Sequence, residues 1–324
     1  MKNVLFIAPN YFDYYRIIQN ALERKGYKVK WVDDRPSNNL FEKCILRVKP
    51  SLLKKKVNKF FENSIEKEMD NNHYDFVFVI MGQSFNSQQF LRLREKNKNC
   101  KFILYLWDNT RNFPTLVDLA SAFDITYSFD RYDCNKYGYS FLPLFYSVSS
   151  YEKQEIIYDA SFIGTIKNGK LPLVKKIVSE FENNNIHVMN YMYLQSRLVY
   201  LYYKMKDKDF AGTKMKDFSY KKVPYKENIK KILQSRIVID VPMKNQVGLS
   251  IRTLECLAMK RKMITTNEDV VNYDFYKPEN IYVYKDKIDF NNVFFTKDYC
   301  DIDKRIFYEY SIEKWIEKIF KEDE

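Results

Sequence analysis

The segment whose residues are best suited to bind a ligand lies between residues 246 and 258. Gly248 and Ser250 stand where a helix would begin, and the backbone N–H groups and positive dipole of a helix start attract phosphate. Arg252 and Glu255 are three residues apart, so they would share a face of that helix. This pattern suits a nucleoside diphosphate, with Arg252 on phosphate and Glu255 accepting from ribose hydroxyls. The alternative is a surface ion pair on an ordinary helix.

Two aspartates next to predicted strands are candidates for a general base. Asp108 ends a predicted strand, and Asp13 follows the first one. Ligands bind beyond the carboxyl ends of parallel strands, so both are placed to reach a bound substrate and take a proton from it. The alternatives are a cap or turn for Asp108 and a helix N-terminal charge for Asp13. Asp130 also ends a strand, but Asp133 and Arg131 offer it local partners.

The sequence offers few residues for metal binding, disulfide formation, Ser-His-Asp catalysis or cofactor binding. The five cysteines are widely spaced without a C-x-x-C pair, and there are only two histidines, so we expect no metal site, no disulfide framework and no Ser-His-Asp mechanism. The seven glycines form neither a dinucleotide-binding nor a P-loop fingerprint, and we expect no cofactor. Two D-x-D matches, at 207–209 and 301–303, follow no strong strand and are interpreted as chance.

The elements that must position these residues alternate between strand and helix along the whole chain. Unbroken apolar strands separated by helices indicate parallel sheets covered on both faces. The alternation lapses at about 146–158 and then restarts. We therefore predict an α/β protein with two Rossmann-like, doubly wound domains, 1–150 and 151–324, facing a central cleft. The last helix, at about 311–322, could pack back on the first domain.

Three segments carry a resemblance to a known family. Residues 248–255 read Gly-Leu-Ser-x-Arg-x-x-Glu and are followed by Met-Ile-Thr-Thr-Asn at 263–267. The other two are 129–144, with Phe-Asp-Arg-Tyr-Asp and Tyr-Gly-Tyr-Ser-Phe-Leu-Pro-Leu, and 159–165, Asp-Ala-Ser-Phe-Ile-Gly-Thr. Together they resemble GT-B glycosyltransferases, and most of all the bacterial group related to spore-maturation-type enzymes of capsule and lipopolysaccharide assembly.

The resemblance implies that the second domain binds a nucleotide-sugar, with a UDP-sugar as first choice, and that the first domain binds the acceptor. The residues that it places around the donor are Gly164, Thr165, Lys167, Gln246, Gly248, Leu249, Ser250, Arg252 and Glu255. Among these, Gly164 and Thr165 would lie under the diphosphate, and Lys167 would add charge there. Retaining members often carry an acidic residue where this chain has Val247, so the stereochemistry stays open.

Charge and hydropathy suggest where the protein works. The net charge is +12, and no apolar run approaches the roughly 20 residues of a membrane-spanning helix. We expect no signal peptide and a cytoplasmic protein that is peripheral on the inner face of the plasma membrane. A basic amphipathic helix within 43–69 would touch anionic lipid. Its lysines are Lys54, Lys55, Lys56 and Lys59. The alternative is a solvated basic face over an ordinary core stripe.

A second basic stretch, 197–231, holds eleven basic and four acidic residues with interleaved tyrosines. It could bind single-stranded nucleic acid, touch a membrane, or be a solvated insertion, and we expect no specific nucleic-acid partner. The leading interpretation is a metal-independent, hexosyltransferase-like glycosyltransferase that acts on a glycan or lipid-linked acceptor in surface polysaccharide assembly. The alternatives are a nucleotide-sugar epimerase of the same fold and a non-catalytic protein that binds polyanions or nucleic acid.

Overall fold

A computed structural model describes residues 1–10, 13–37, 50–147, 151–167 and 169–321. The chain divides into two compact units. Unit 1 is Met1–Pro143 together with the chain from Ile312 onward, and unit 2 is Leu144–Ser311. The division falls at residue 143 and not at 150, because Tyr146 belongs to unit 2. Its backbone N–H donates to Tyr310 O at 2.9 Å, and its ring lies 4.6 Å from that of Phe307.

In its described residues, unit 1 is built on a parallel sheet of six strands. They are β1 Asn3–Ile7, β2 Lys28–Val32, β3 Phe76–Ile80, β4 Lys101–Leu106, β5 Ile125–Ser128 and β6 Ser140–Phe141. Their order is β2-β1-β3-β4-β5-β6, and every neighbouring pair is parallel. All five residues of β3 are buried, as the uninterrupted apolar sequence predicts for a strand covered on both faces.

The described helices of unit 1 connect these strands. They are α1 Tyr14–Arg24, α2 Lys54–Phe61, α3 Lys67–Asn71, α4 Ser87–Lys96, α5 Thr115–Ala120 and α6 Arg131–Tyr137. A short π-helical segment, Glu62–Glu66, joins α2 to α3. Helix α4 begins at a capping box in which Asn86 and Gln89 bond reciprocally, which fixes its first turn.

Unit 2, as far as the structure describes it, is also built on a parallel sheet, here of five strands. Its strands are β7 Tyr158–Thr165, β8 Val188–Tyr193, β9 Ser235–Asp240, β10 Lys262–Thr265 and β11 Ile281–Val283. Their order is β11-β10-β9-β7-β8. The helices are α7 Lys170–Glu182, α8 Arg197–Lys206, α9 Tyr225–Leu233, α10 Ile251–Ala258, α11 Val293–Thr296 and α12 Lys304–Glu309. The predicted fold class, two parallel-sheet α/β domains, is confirmed.

The last helix, α13 Ile312–Ile319, is part of the core of unit 1. Trp315 is 2 % exposed, and its ring meets those of Tyr105 and Phe78 edge-on, with centroids 4.8 and 6.0 Å away. At the surface, Lys25 Nζ lies 2.5 Å from Glu317 Oε1. The first and last parts of the chain therefore stabilise the same unit. Among the described residues, no helix has the length and apolar character of a bilayer-spanning segment.

Candidate functional site

The candidate site lies at the carboxyl edge of the unit 2 sheet. Strand β7 occupies an inner position, with β8 on one side and β9 on the other. The connections after β7 and after β9 therefore leave the sheet in opposite directions. Such a point of reversal is where open α/β sheets bind ligands. The residues that follow β7 and end β9 thus lie at the point of reversal.

A lysine lies at the positive, N-terminal end of α7, the helix that follows β7. Gly169 has φ +73°, a left-handed conformation that favours glycine, and Lys170 begins α7 directly after it. Burial lowers the pKa of the Lys170 ammonium, and the nearby charges of Lys167 and Arg252 lower it further. The carboxylate of Asp240 offsets part of this effect. A cation at the positive end of a helix is unfavourable unless an anion binds there.

Asp240, the last residue of β9, contributes the carboxylate of this group. It accepts a hydrogen bond from Ser250 Oγ at 2.7 Å. Burial raises the pKa of Asp240, while the Ser250 hydrogen bond and the charges of Lys170 and Arg252 oppose that rise. Ser250 stands at the N-cap of α10, yet its side chain does not cap the helix because it is directed to Asp240.

Arg252 and Glu255 form the predicted pair, in which Glu255 is buried and Arg252 is largely buried. Arg252 Nη1 lies 3.2 Å from Glu255 Oε2, and the side chains are 16 % and 4 % exposed. The surface ion pair considered from the sequence is therefore not what the fold forms. Arg252 also donates from Nη2 to Asn228 Oδ1 of α9 at 3.3 Å. A buried ion pair needs such additional partners to offset its desolvation.

Tyrosines surround the buried carboxylate of Glu255. Tyr225, the first residue of α9, interacts with Glu255, and burial together with that charge raises the pKa of Tyr225 to about 12. Its hydroxyl lies 3.3 Å from Ser147 Oγ. Burial raises the pKa of Tyr151 as well, with the charges of Tyr225 and Glu255 adding to the effect. Glu255 thus occupies a hydrogen-bonding, partly aromatic environment beside Arg252.

The loop between β9 and α10 is held by a hydrogen bond within the loop and by another from Asn267, which follows β10. Gln246 Nε2 donates to Gly248 O at 2.9 Å, and Asn267 Nδ2 donates to Val247 O at 2.9 Å. Leu249 is 3 % exposed and packs in the core, so the structure gives this predicted loop residue a packing role. The loop is therefore a preformed element rather than an open chain.

Gly164 and Thr165 end β7, where the resemblance places them. Thr165 is paired with Tyr193 in the β7–β8 register. A Cβ at Gly164 would lie 2.9 Å from the Phe162 ring, so the strand has no room for a side chain at this position. The strand end leads directly to Lys167 and Lys170 at the start of α7.

Two residues that complete this group, Lys170 and Asp240, were missed from the sequence. The structure brings Lys167, Ser250 and Arg252 together through them. Asp240 ends a strand just as Asp108 does, so the same strand-end criterion could have found it. The signal at Lys170 is a lysine that follows a glycine at a strand–helix junction.

Unit 1 places Asp13 and Asp108 after different strands of its sheet. Asp13 has φ +60°, its side chain is 64 % exposed, and its carboxylate lies 3.8 Å from Arg16 Nη1. Asp108 Oδ1 accepts from the Asn109 backbone N–H at 2.9 Å and from Asn112 Nδ2 at 3.4 Å. The two aspartates follow β1 and β4, which β3 separates. Each stands at the carboxyl edge of the sheet, and a role as base stays a prediction.

A strained turn at the end of β3 lies at the reversal point of this first sheet and was not predicted. Met81 has φ +65° and Gly82 has φ +62°. Gly82 N–H donates to Ile80 O at 2.8 Å, which closes a γ-turn of a rare and strained type. A Cβ at Gly82 would contact Val79 Cγ1 at 3.0 Å and Leu119 Cδ2 at 3.2 Å. Close packing therefore maintains this backbone conformation at the edge that Asp13 also occupies.

Asp130 is a structural residue. It is fully buried, Arg111 Nη2 lies 2.7 Å from its Oδ2, and its other oxygen caps α6 by accepting from Tyr132 N at 3.0 Å. The sequence suggested Arg131 as its partner, but that guanidinium lies over the Phe141 ring at 4.1 Å.

The apolar side of α2 faces the core of unit 1. Val57 and Phe61 are buried, and the Phe61 ring lies 5.1 Å from that of Phe85 and 5.4 Å from that of Phe90. Four lysines of this helix are exposed: Lys54, Lys55, Lys56 and Lys59. They can attract anionic lipid, but the apolar side chains beneath them are already packed. The first part of the predicted amphipathic stretch, up to residue 49, lies outside the described residues.

The acidic motifs set aside as chance matches have local roles. Asp207 Oδ1 accepts from Asp209 N at 3.0 Å, and Asp303 Oδ1 accepts from Arg305 N at 2.8 Å, so each begins a helical turn. Within the part of the chain that the structure describes, no group of three or more His, Cys, Asp or Glu side chains is arranged to hold a metal ion.

Comparisons with known proteins show which solved structures have a similar fold. Neither the protein-family models nor the curated proteins give a match to this sequence. Among solved structures, a glycosyltransferase from Rickettsia africae ESF-5 aligns with a TM-score of 0.55 at 12% identity, over 99% of each chain. MnaA from S. aureus, in a structure with UDP, aligns with a TM-score of 0.54 at 11% identity, over 97% of this chain and 92% of that one. The chain shares their two-domain α/β fold.

Proposed function

We propose that the chain is a glycosyltransferase that moves a sugar from a nucleotide-sugar to a glycan or lipid-linked acceptor in surface polysaccharide assembly. The observation that carries this proposal is the cationic group of Lys167, Lys170 and Arg252 at the carboxyl edge of the unit 2 sheet. Those charges repel one another in the folded chain. A bound diphosphate relieves that repulsion and gains the dipoles of two helix starts.

The same charges suit the departure of a nucleoside diphosphate. Negative charge develops on the leaving diphosphate as the sugar–phosphate bond breaks, and fixed cations stabilise it without reorganisation. Asn228 and Glu255 hold Arg252 in place, and Lys170 lies within the electrostatic reach of Asp240, so the charges are organised before the substrate binds. We propose that these side chains supply the charge that a metal ion provides elsewhere. Activity that is retained in excess EDTA would support this part.

The fold relationships favour a UDP-sugar as the donor. The Rickettsia africae protein is a glycosyltransferase, and the MnaA structure contains UDP. In our proposal Glu255 holds Arg252 toward phosphate and accepts hydrogen bonds from ribose hydroxyls. Unit 1 binds the acceptor, and Asp108 or Asp13 takes the proton from its hydroxyl. The protein works as a peripheral protein on the inner face of the plasma membrane, where lipid-linked acceptors are presented.

The deciding experiment is calorimetric titration with UDP, GDP, dTDP and CMP at low and high salt. Wild type is compared with Glu255→Ala and with Glu182→Ala, a control that removes an exposed carboxylate of α7. We expect one nucleotide to bind selectively at both salt concentrations, with binding lost in Glu255→Ala and kept in Glu182→Ala. Sugar transfer from the matching donor then tests the reaction itself.

Other outcomes contradict the proposal. If no nucleotide binds while polyanions bind in a strongly salt-dependent way, the cationic group belongs to a non-catalytic binding protein. If the donor binds and its sugar changes configuration without any acceptor, the chain is an epimerase of this fold.

A further inference from the structure

Helix α8 of unit 2 presents an apolar stripe to solvent. The stripe is Leu198, Leu201, Tyr202 and Met205, which are 76, 43, 62 and 81 % exposed. Their spacing is i, i+3, i+4 and i+7, which confines them to an arc of about 100° on the helix surface. Most exposed apolar side chains occur singly on protein surfaces, so a continuous stripe of four indicates a binding surface.

The stripe is not the side by which α8 packs on the core of unit 2. The opposite side of α8 already packs on unit 2 through Tyr200, whose ring lies 6.4 Å from that of Phe210 and 5.6 Å from that of Phe218. All three rings are nearly buried, at 5, 1 and 6 % exposure. Lys204 Nζ donates to the carbonyls of Phe210 and Thr213 at 3.0 and 2.9 Å, which fastens the following loop to the helix. The helix is therefore anchored from within, and its outer face is independent of that packing.

Positive charge borders the stripe. With about 100° between successive residues, Arg197 and Lys206 fall on the two sides of the apolar arc, and both are exposed. Residues 197–222 hold eight basic and three acidic residues. Two of the acids serve the local backbone, since Asp207 accepts from Asp209 N and Asp217 accepts from Lys214 N at 2.8 Å. The surface around the stripe thus favours an anionic partner.

We propose that α8 binds the surface of an anionic phospholipid bilayer, with the stripe inserted at the level of the acyl chains and Arg197 and Lys206 at the headgroups. Apolar side chains flanked by cations at the polar boundary are the pattern of helices that lie in the interface plane. Long cationic side chains can extend to the phosphates while their methylene groups remain on apolar surface. Leu198, Tyr202 and Met205 are each more than 60 % exposed. Attraction between charges alone would not bury this apolar surface, whereas insertion into a bilayer would.

The comparison with α2 shows why this helix is the better candidate for insertion. In α2 the apolar residues Val57 and Phe61 are buried in unit 1, and lysines remain outside. In α8 the apolar stripe itself remains outside. A single-stranded nucleic acid would need exposed aromatic rings for stacking, and Tyr202 is the one aromatic residue of the stripe. The membrane is therefore the partner that uses all four side chains.

The test is flotation of the full chain with vesicles of phosphatidylcholine alone and of phosphatidylcholine with phosphatidylglycerol. We expect binding to the anionic vesicles and a fall of roughly tenfold or more in the partition constant for Leu198→Ser/Met205→Ser. Val271→Ser is the matched control, since it replaces an apolar residue of unit 2 that is 50 % exposed outside the stripe. A Tyr202→Trp variant should shift its emission to the blue when anionic vesicles are added.

The inference stands apart from the proposed reaction, because nucleotide titration of the same variants shows whether unit 2 is intact. It is overturned if wild type does not float with anionic vesicles, or if the double serine variant binds as well as Val271→Ser does. It is also overturned if the stripe variants abolish single-stranded nucleic-acid binding or self-association while vesicle binding is unchanged. Loss of vesicle binding with nucleotide binding retained supports it, even if no sugar transfer is ever detected.

Discussion

Ser250 Oγ donates a 2.7 Å hydrogen bond to Asp240 Oδ2, and this bond joins the N-cap of α10 to the end of β9. N-cap serines ordinarily accept from the backbone of their own helix, and this one does not. The bond positions the helix start over the sheet edge where Lys170 and Arg252 also lie. The N-terminal dipole of α10 is therefore directed to the place where an anion would bind.

Ser250→Ala should destabilise the protein. The substitution removes the hydroxyl that donates to the half-buried Asp240 carboxylate, and hydrogen bonds to charged groups contribute about 1.5–3 kcal/mol. We expect a loss of that order in the free energy of unfolding, measured by urea denaturation. Ser250→Thr keeps the hydroxyl and should stay close to wild type. Equal midpoints for the alanine and threonine variants would contradict this prediction.

Lys170→Met should weaken the binding of a nucleoside diphosphate at least tenfold, because it removes a cation fixed at the start of α7. The pKa of Lys170 is lowered by burial, so its charged form is lost at a lower pH than that of an ordinary lysine. Affinity should therefore decline as the pH rises through the alkaline range. Calorimetry between pH 7 and 10 measures this. Lys170→Arg, which stays charged, should flatten the profile, and an unchanged profile in that variant would rule out Lys170 as its source.

Asp108→Asn and Asp13→Asn test the base. Removing a general base typically costs about 10²–10⁴ in rate, and it should leave donor affinity unchanged, since the donor residues lie in unit 2. We expect one of the two variants to lose kcat by this factor and the other to retain most activity. Transfer rates and nucleotide titrations are measured on the same preparations. Full activity in both variants would exclude both aspartates.

Asp34→Asn should change how the stability of unit 1 depends on pH. Asp34 is fully buried, and burial raises its pKa to about 6, although Arg35 Nε lies 2.7 Å from its carboxylate. A raised pKa means that the folded state favours the protonated acid. The stabilisation is complete below the unfolded pKa of about 4 and is lost as the pH rises through about 6.

The wild-type protein should therefore lose roughly 2–3 kcal/mol relative to Asp34→Asn between pH 4 and pH 7, because the difference between an unfolded pKa of about 4 and a folded pKa of about 6 converts to that free energy. Urea denaturation of both proteins at four pH values gives the difference directly. Parallel stability curves would show that Asp34 is not the titrating group.

The sequence predicts most of the regular elements because their periodicity is local. The spacing of apolar residues over 87–96 indicates a helix, which the structure has at Ser87–Lys96, and the uninterrupted apolar run at β3 indicates a strand buried on both faces. Helix α8 was missed because Leu, Val and Tyr alternate on both of its faces, so no polar side marks its period. Which of its apolar residues turn inward depends on Phe210 and Phe218, which lie outside the helix.

The candidate site was predictable only in part for the same reason. Arg252 and Glu255 lie on one helix, so their spacing alone predicts that they meet. Lys170 and Asp240 are seventy residues apart and meet because β7 and β9 are neighbours in the sheet. Strand order arises from the packing of the whole unit, and no local pattern encodes it. Similarly, the amphipathic pattern of α2 could not show whether its apolar side faces lipid or core.

The return of α13 to unit 1 has a consequence for biosynthesis. Unit 2, Leu144–Ser311, lies within the chain of unit 1 and is translated before α13. On the ribosome, unit 2 can fold as soon as residue 311 emerges, whereas the sheet of unit 1 must wait for Trp315 to fill its place against Tyr105 and Phe78. Unit 1 is therefore begun before unit 2 and completed after it, and nascent unit 1 exposes that apolar surface throughout the synthesis of unit 2.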